Sequence, residues 1–185
     1  TYLFYTLCLG LATGAGIMIA QFFGAGLHQR MRNAVWNSSI VTAVFGILIS
    51  IFSIFLTEPV LRLMQTDSDL MQMAVSYMRI SCGGTIAVAA YNWINAVVRA
   101  LGDSKTPLLF LAIASVLNVG LDLLFVMVLN MGVEGAAIAT VISQFIAAAS
   151  CIVYAFRRMP ELSLKREDFR VSGEMISLTL KTGLP

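Results

Sequence analysis

The sequence predicts an all-α integral membrane protein, a bundle of about five transmembrane helices, on three observations. Of its 185 residues, 58% are hydrophobic and 12% charged, where an ordinary soluble domain has about 45–50% apolar and about 25% charged residues. Cutting the chain at its charged residues leaves five apolar runs, each matching the roughly 20 residues a helix needs to cross hydrocarbon. Lys and Arg gather in alternate gaps between those runs. A soluble chain of this length would bury about 70% of its unfolded surface and leave much apolar surface in water. Lipid is the solvent that fits.

The first run covers residues 1 to about 27, and the second covers 33–57 without a charge. The third, about 70–98, contains Arg79, and the fourth, 106 to about 131, contains Asp122. The fifth, 135–156, is uncharged. Between the third and fourth, Gly102 reads as a helix stop, Thr106 as an N-cap and Pro107 as the first helical residue, which makes a tight hairpin loop. Met131, Gly132, Val133, Glu134 and Gly135 make a second loop at the opposite membrane face.

Counting Lys and Arg alone sets the orientation. Arg30 and Arg32 follow the first run, Arg99 and Lys105 the third, and Arg157, Arg158, Lys165, Arg166 and Arg170 the fifth; the alternate gaps hold Arg62 and none. The chain is therefore expected to be multi-pass in a cell (inner) membrane, with the loops near Arg30, Asp103 and Lys165 cytoplasmic. The charged stretch 157–173, with Pro160, reads as a cytoplasmic linker. An uncharged run opens the chain without Met and a new apolar element closes it, so the sequence is expected to be part of a longer protein.

Other classes fit poorly. The net charge of +2 is too small to suggest nucleic acid. Cys8, Cys82 and Cys151 are widely spaced in apolar runs with no histidine cluster, so they read as core residues and no metal site is expected. Asn37-Ser38-Ser39 matches a glycosylation sequon but lies inside an apolar run. Gly14-Ala15-Gly16 lacks the third glycine and preceding strand of a nucleotide loop. Small residues recur at helical spacing at Gly10 and Gly14, at Gly16, Ala20 and Gly24, and at Gly135, Ala139, Ser143 and Ala147. In lipid such faces let helices pack closely.

An ionisable group in the bilayer costs at least ~2.5 kcal/mol on insertion scales, so Asp122 and Arg79 are functional candidates by default. Counted from the outer ends of their runs, they lie at depths of about 12 and about 14 Å on neighbouring helices. Asp122 is either the permanent counterion of Arg79 or a proton or cation site, where desolvation favours the neutral carboxyl. Asn118, four residues earlier, shares its helix face. Thr140 and Gln144 form a second four-residue pair, and Tyr91, Asn92 and Asn95 a polar group in the third run. Each alone is common glue between membrane helices; their convergence on Asp122 raises the functional case.

Arg99-Ala-Leu-Gly-Asp-Ser-Lys-Thr-Pro107, Asn118-Val-Gly-Leu-Asp122, Gly132-Val-Glu-Gly-Ala-Ala-Ile-Ala-Thr140 and Gln21-Phe-Phe-Gly-Ala25 together resemble the multidrug and toxic compound extrusion (MATE) family of cation-coupled antiporters. The resemblance implies a twelve-helix transporter of two lobes, of which this chain holds helices two to six. Residues 1–157 would belong to the first lobe's bundle, 158–175 to a cytoplasmic linker and 176–185 to the start of the second lobe. It also implies that Asp122, Asn118, Thr140 and Asn95 form the cation-coupling and substrate-binding network, with Tyr91 and Asn92 as alternatives to Asn95, which lies nearer the membrane face. Arg79 and Gln144 are further candidates. The expected function is export of organic, often cationic, drugs and toxic compounds against inward H⁺ or Na⁺. No catalytic residue, enzyme activity or cofactor beyond the coupling ion is implied. The expected partners are the lipid bilayer, small organic substrates and the transporter's remaining helices, with no nucleic acid. The rival readings are a lipid-linked precursor flippase, which needs a strongly cationic cavity; an intramembrane metalloenzyme, which needs several carboxylates; and a structural subunit.

Overall fold

A computed structural model describes residues 2–65, 67–163 and 166–183, and these are helical with no strand. Lys165, one of the loop positions expected to be cytoplasmic, lies outside the described residues. Among the described residues, five helices are long and apolar enough to cross a membrane. In chain order the helices are α1 (Tyr2–Gly24), α2 (His28–Leu63), α3 (Ser68–Gly83), α4 (Thr85–Ala100), α5 (Lys105–Asp122), α6 (Gly132–Arg158) and α7 (Gly173–Gly183). The third span is the α3–α4 pair.

α1 and α4 form the centre of the bundle: α1 packs on α4, α2 and α7, and α4 on α6 and α2. The main core joins Ala15, Met18 and Ile19 of α1 to Met31, Ala34 and Val35 of α2, Trp93, Ile94, Val97 and Val98 of α4, and Cys151 and Ala155 of α6. Cys8, Cys82 and Cys151 are buried free thiols, as their apolar surroundings in the sequence led one to expect. α5 sits at the periphery against α6, and only 6% of its most apolar stretch is buried.

Four boundaries depart from the sequence reading, each for a local reason. α2 does not stop at residue 57 but runs through Glu58, Pro59 and Arg62 to Leu63. Its last turn is held by Arg62, whose Nη2 donates to Glu58 Oε1 one turn back at 2.8 Å. The third span breaks at Gly84, where a side chain would run into Val141 Cγ2 of α6. The break weakens the backbone ladder, and Ser50 of α2 compensates by donating to the Cys82 carbonyl at 2.9 Å. The cap of α5 is Asp103 rather than Thr106: its Oδ1 accepts from the amides of Lys105 and Thr106 at 3.1 and 3.0 Å. The Thr106 hydroxyl first, and then those amide bonds, hold the Asp103 carboxyl below the usual carboxylate range. Finally, α6 begins at Gly132, because Asn130 and Gly132 take left-handed backbone (φ 52° and 58°) and reverse the chain in three residues.

The small-residue faces do what lipid-embedded packing requires. Gly135, Ala139, Ser143 and Ala147 are all buried along α6, and a Cβ at Gly16 would lie 3.2 Å from Ala96. Gly24 is the exception, with nothing within 4 Å. The tightest approach of backbone to backbone is between α1 and α7. A Cβ at Gly14 would lie 2.5 Å from the Gly183 nitrogen, and one at Gly183 2.7 Å from the Leu11 Cα. Backbone cannot yield as a side-chain end can, so Gly14→Ala is expected to push α7 off α1 at a cost of about 1–3 kcal/mol. A thermal-unfolding midpoint unchanged in the full-length protein would contradict that packing.

The stretch between α6 and α7 is strapped to the start of α2. Arg32 Nε donates to Asp168 Oδ2 at 2.8 Å, with Asp168 only 1% exposed. Asn33 donates to the carbonyls of Asp168 and Arg170. Asn37, the sequon asparagine, is fully buried; it donates to the Arg170 carbonyl and accepts from the Ser172 amide. Trp36 stacks edge-on against Phe169 at 4.7 Å.

Candidate functional site

The polar residues singled out in the sequence fall into three places. The first is the α5–α6 face. Asn118 Nδ2 donates to Thr140 Oγ1 at 3.4 Å, and the Thr140 hydroxyl spends its own proton on the Ala136 carbonyl at 3.0 Å. Thr140 is thereby fixed as an acceptor, and the Asn118 amide is oriented with its oxygen available to accept a hydrogen bond or to coordinate a metal cation. One turn further along α5, Asp122 is half-buried, and its Oδ1 is buried with no hydrogen-bond partner among the described residues. A carboxylate oxygen taken from water and given no donor is costly. Gln144 lies half-buried one turn after Thr140.

The second place is α4. The Tyr91 hydroxyl donates to the Pro107 carbonyl at 2.9 Å and so ties α4 to the first turn of α5. Asn92 Nδ2 and Asn95 Oδ1 are buried and unpartnered. Both asparagines therefore present a polar atom inside the bundle that the described residues do not satisfy. No bond joins them to the Asn118–Thr140 pair among the described residues.

The third place is remote from Asp122. Arg79 does not pair with it: Arg79 Nη2 lies 3.5 Å from Glu58 Oε2, both side chains about half exposed, while Arg62 holds the other oxygen of Glu58. The counterion reading of Asp122 therefore loses its cation. The four-residue spacing of Glu58 and Arg62 was a readable sign that the second helix continues through both.

Sequence reasoning missed the change in helix geometry just beyond Asp122. Residues Leu123–Val128 form a π-helical turn, and after it the Leu129 amide donates to Leu124 and the Met131 amide to Phe125. Such turns inside α-helices are rare and concentrate at functional sites. The insertion begins at the residue after the carboxylate, so it shifts the faces of the outer half of the span relative to Asn118 and Asp122. The uniformly apolar Leu-Leu-Phe-Val-Met-Val run carries no sign of it.

Among known families, MatE matches residues 1–124. The chain is 41% identical over 132 residues to the probable multidrug resistance protein YpnP of Bacillus subtilis, covering 71% of this chain and 29% of that protein. It is 28% identical over 193 residues to the probable multidrug resistance protein YoeA of the same organism, covering 100% of this chain and 41% of that protein. Among solved structures it resembles a MATE protein in its bent conformation, with a TM-score of 0.92 and 28% identity over 100% of this chain and 42% of that one. It also resembles the inward-facing conformation of a multidrug resistance MATE family transporter of the MOP superfamily, with a TM-score of 0.91 and 27% identity over 98% and 42%. The chain thus spans less than half the length of these relatives. With the family match running from residue 1 past Asp122, and the helical bundle following that of solved transporters almost throughout, the chain belongs to the MATE family.

Proposed function

We propose that this chain is the ion-coupling part of the first lobe of a secondary antiporter that exchanges inward H⁺ or Na⁺ for outward organic, often cationic, drugs and toxic compounds. The observation that carries the reading is Asp122: a carboxylate inside a span, with one oxygen buried and unpartnered, beside a fixed Asn118–Thr140 pair and at the start of a π turn. Asp122 favours a cation when the site is empty of substrate and a cationic substrate when the ion has left. The two compete, and that competition couples their opposite movements. Asn92 and Asn95 supply further unpaired polar atoms from α4. The relatives named as probable multidrug resistance proteins support a reading of drug export. The flippase reading has less behind it, because Arg79 is already met by Glu58.

In this reading α1 to α6 are helices two to six of twelve, residues 158–175 are the cytoplasmic linker and 176–185 open the second lobe. The test is transport by the full-length protein in vesicles. Export of ethidium, a fluorescent organic cation, should follow an imposed proton or Na⁺ gradient and stop when both are collapsed. Export indifferent to either gradient would end the coupling proposal.

The proposed orientation has its own test. Single cysteines at Gln29, Ser104 and Ser163 should resist an impermeant thiol reagent in intact cells, because positively charged loops stay on the cytoplasmic side, while one at Ser68 should react. The reverse pattern would invert the topology.

A further inference from the structure

We propose that the groove between α5 and α6 at the end bearing Arg157 and Arg158 binds the phosphate headgroup of an anionic phospholipid of the surrounding bilayer. The groove has a volume of about 460 Å³ and is walled by Phe110, Val153 and Tyr154, with Arg157 and Arg158 at its mouth. Phe110 and Tyr154 meet edge to face at 5.9 Å, and Val153 is 50% exposed, so the wall is a firm apolar surface open to an acyl chain.

Charge separates this groove from the one at the opposite end of the bundle. That second groove, of about 630 Å³, contains Arg62 and Arg79 but also Glu58, which pairs with both. No carboxylate lines the α5–α6 groove, and neither Arg157 nor Arg158 enters any ion pair formed among the described residues. Asp103, the acidic residue of the neighbouring loop, is engaged by the amides of Lys105 and Thr106. Two exposed guanidiniums over an apolar wall thus have no anion among the described residues. A phosphodiester matches their planar, forked donors, and its attached chains match the wall below. Because the wall below the two arginines is apolar, the occupant is taken from the membrane rather than from water.

This site is separate from the proposed coupling site: Phe110 precedes Asp122 by twelve residues, about 18 Å along the helix. The test uses delipidated full-length protein in detergent, titrated with dioleoyl-phosphatidylglycerol or dioleoyl-phosphatidylcholine and read by native mass spectrometry. Phosphatidylglycerol should bind about thirtyfold more tightly, since each basic side chain near an anionic lipid contributes about fivefold. Arg157→Gln with Arg158→Gln should abolish that preference at an unchanged unfolding temperature. If the double variant does not fold, each single variant should lose about fivefold. Equal binding of the two lipids, or a preference that survives the substitutions, would overturn the proposal. So would sn-glycerol 3-phosphate binding as tightly as the lipid, which would assign the arginines to a soluble phosphate compound instead.

Discussion

Asp122→Asn in the full-length transporter is expected to fold as the parent protein does and to lose cation-driven export down to the level of empty vesicles. The amide keeps the size and planarity of the carboxyl and can still hydrogen-bond, but it neither binds and releases a proton nor attracts a metal cation. Folding should survive because no charged partner of Asp122 stands among the described residues: the one other charge expected within the spans, Arg79, lies against Glu58. Removing one member of a buried ion pair costs about 3–5 kcal/mol, a penalty that does not arise here. Arg79→Gln provides the contrast. It breaks an ion pair whose side chains are 50% and 42% exposed, worth about 0–1 kcal/mol, so export should stay within about twofold of the parent rate. Gradient-driven ethidium efflux from vesicles reads both variants. Export at the parent rate by well-folded Asp122→Asn would refute the coupling role, and equal losses in the two variants would restore the counterion reading.

The second large effect is on stability. Arg32→Met should lower the stability of the folded protein by up to about 3–5 kcal/mol, because it takes the Arg32 guanidinium away from Asp168, which is 1% exposed. A buried pair replaced as a unit behaves differently, since well-packed apolar residues often match or exceed an ion pair. Arg32→Met combined with Asp168→Leu should therefore recover most of the loss. The buried free thiols of Cys8, Cys82 and Cys151 provide the readout: a thiol-reactive dye reports when heat exposes them. An unchanged midpoint in the single variant would mean that the strap is not held by this pair. Failure of the double variant to recover would mean that the Asn33 and Asn37 contacts to residues 168–172 depend on the Asp168 carboxylate itself.

Much of the site was legible because α-helical periodicity is local. Asn118 and Asp122 share a face, and Thr140 meets Asn118 across the helix pair formed by a three-residue reversal. Arg79 was misjudged because depth in the membrane does not specify direction around a helix. Counting residues put Arg79 and Asp122 at one level, but Arg79 turns toward α2, which continues far enough to bring Glu58 to it. The Thr106 cap was misplaced by the opposite error: both Asp103 and Thr106 have capping side chains, and only the path of the loop decides which one reaches the free amides.

By itself, then, the sequence determined that the chain is helical, how many times it is long enough to cross a membrane, and which polar groups lie inside those spans. These follow from hydrophobic length and from the cost of placing charge in hydrocarbon, and both are sums over neighbouring residues. The tertiary structure alone decided the break at Gly84, the π turn after Asp122, the partner of Arg79 and the strap from Arg32 and Asn37 to residues 168–172. Each of these settles where a backbone or side-chain polar group finds its partner. That partner is chosen by helices distant in sequence, so no pattern within a single span could have named it.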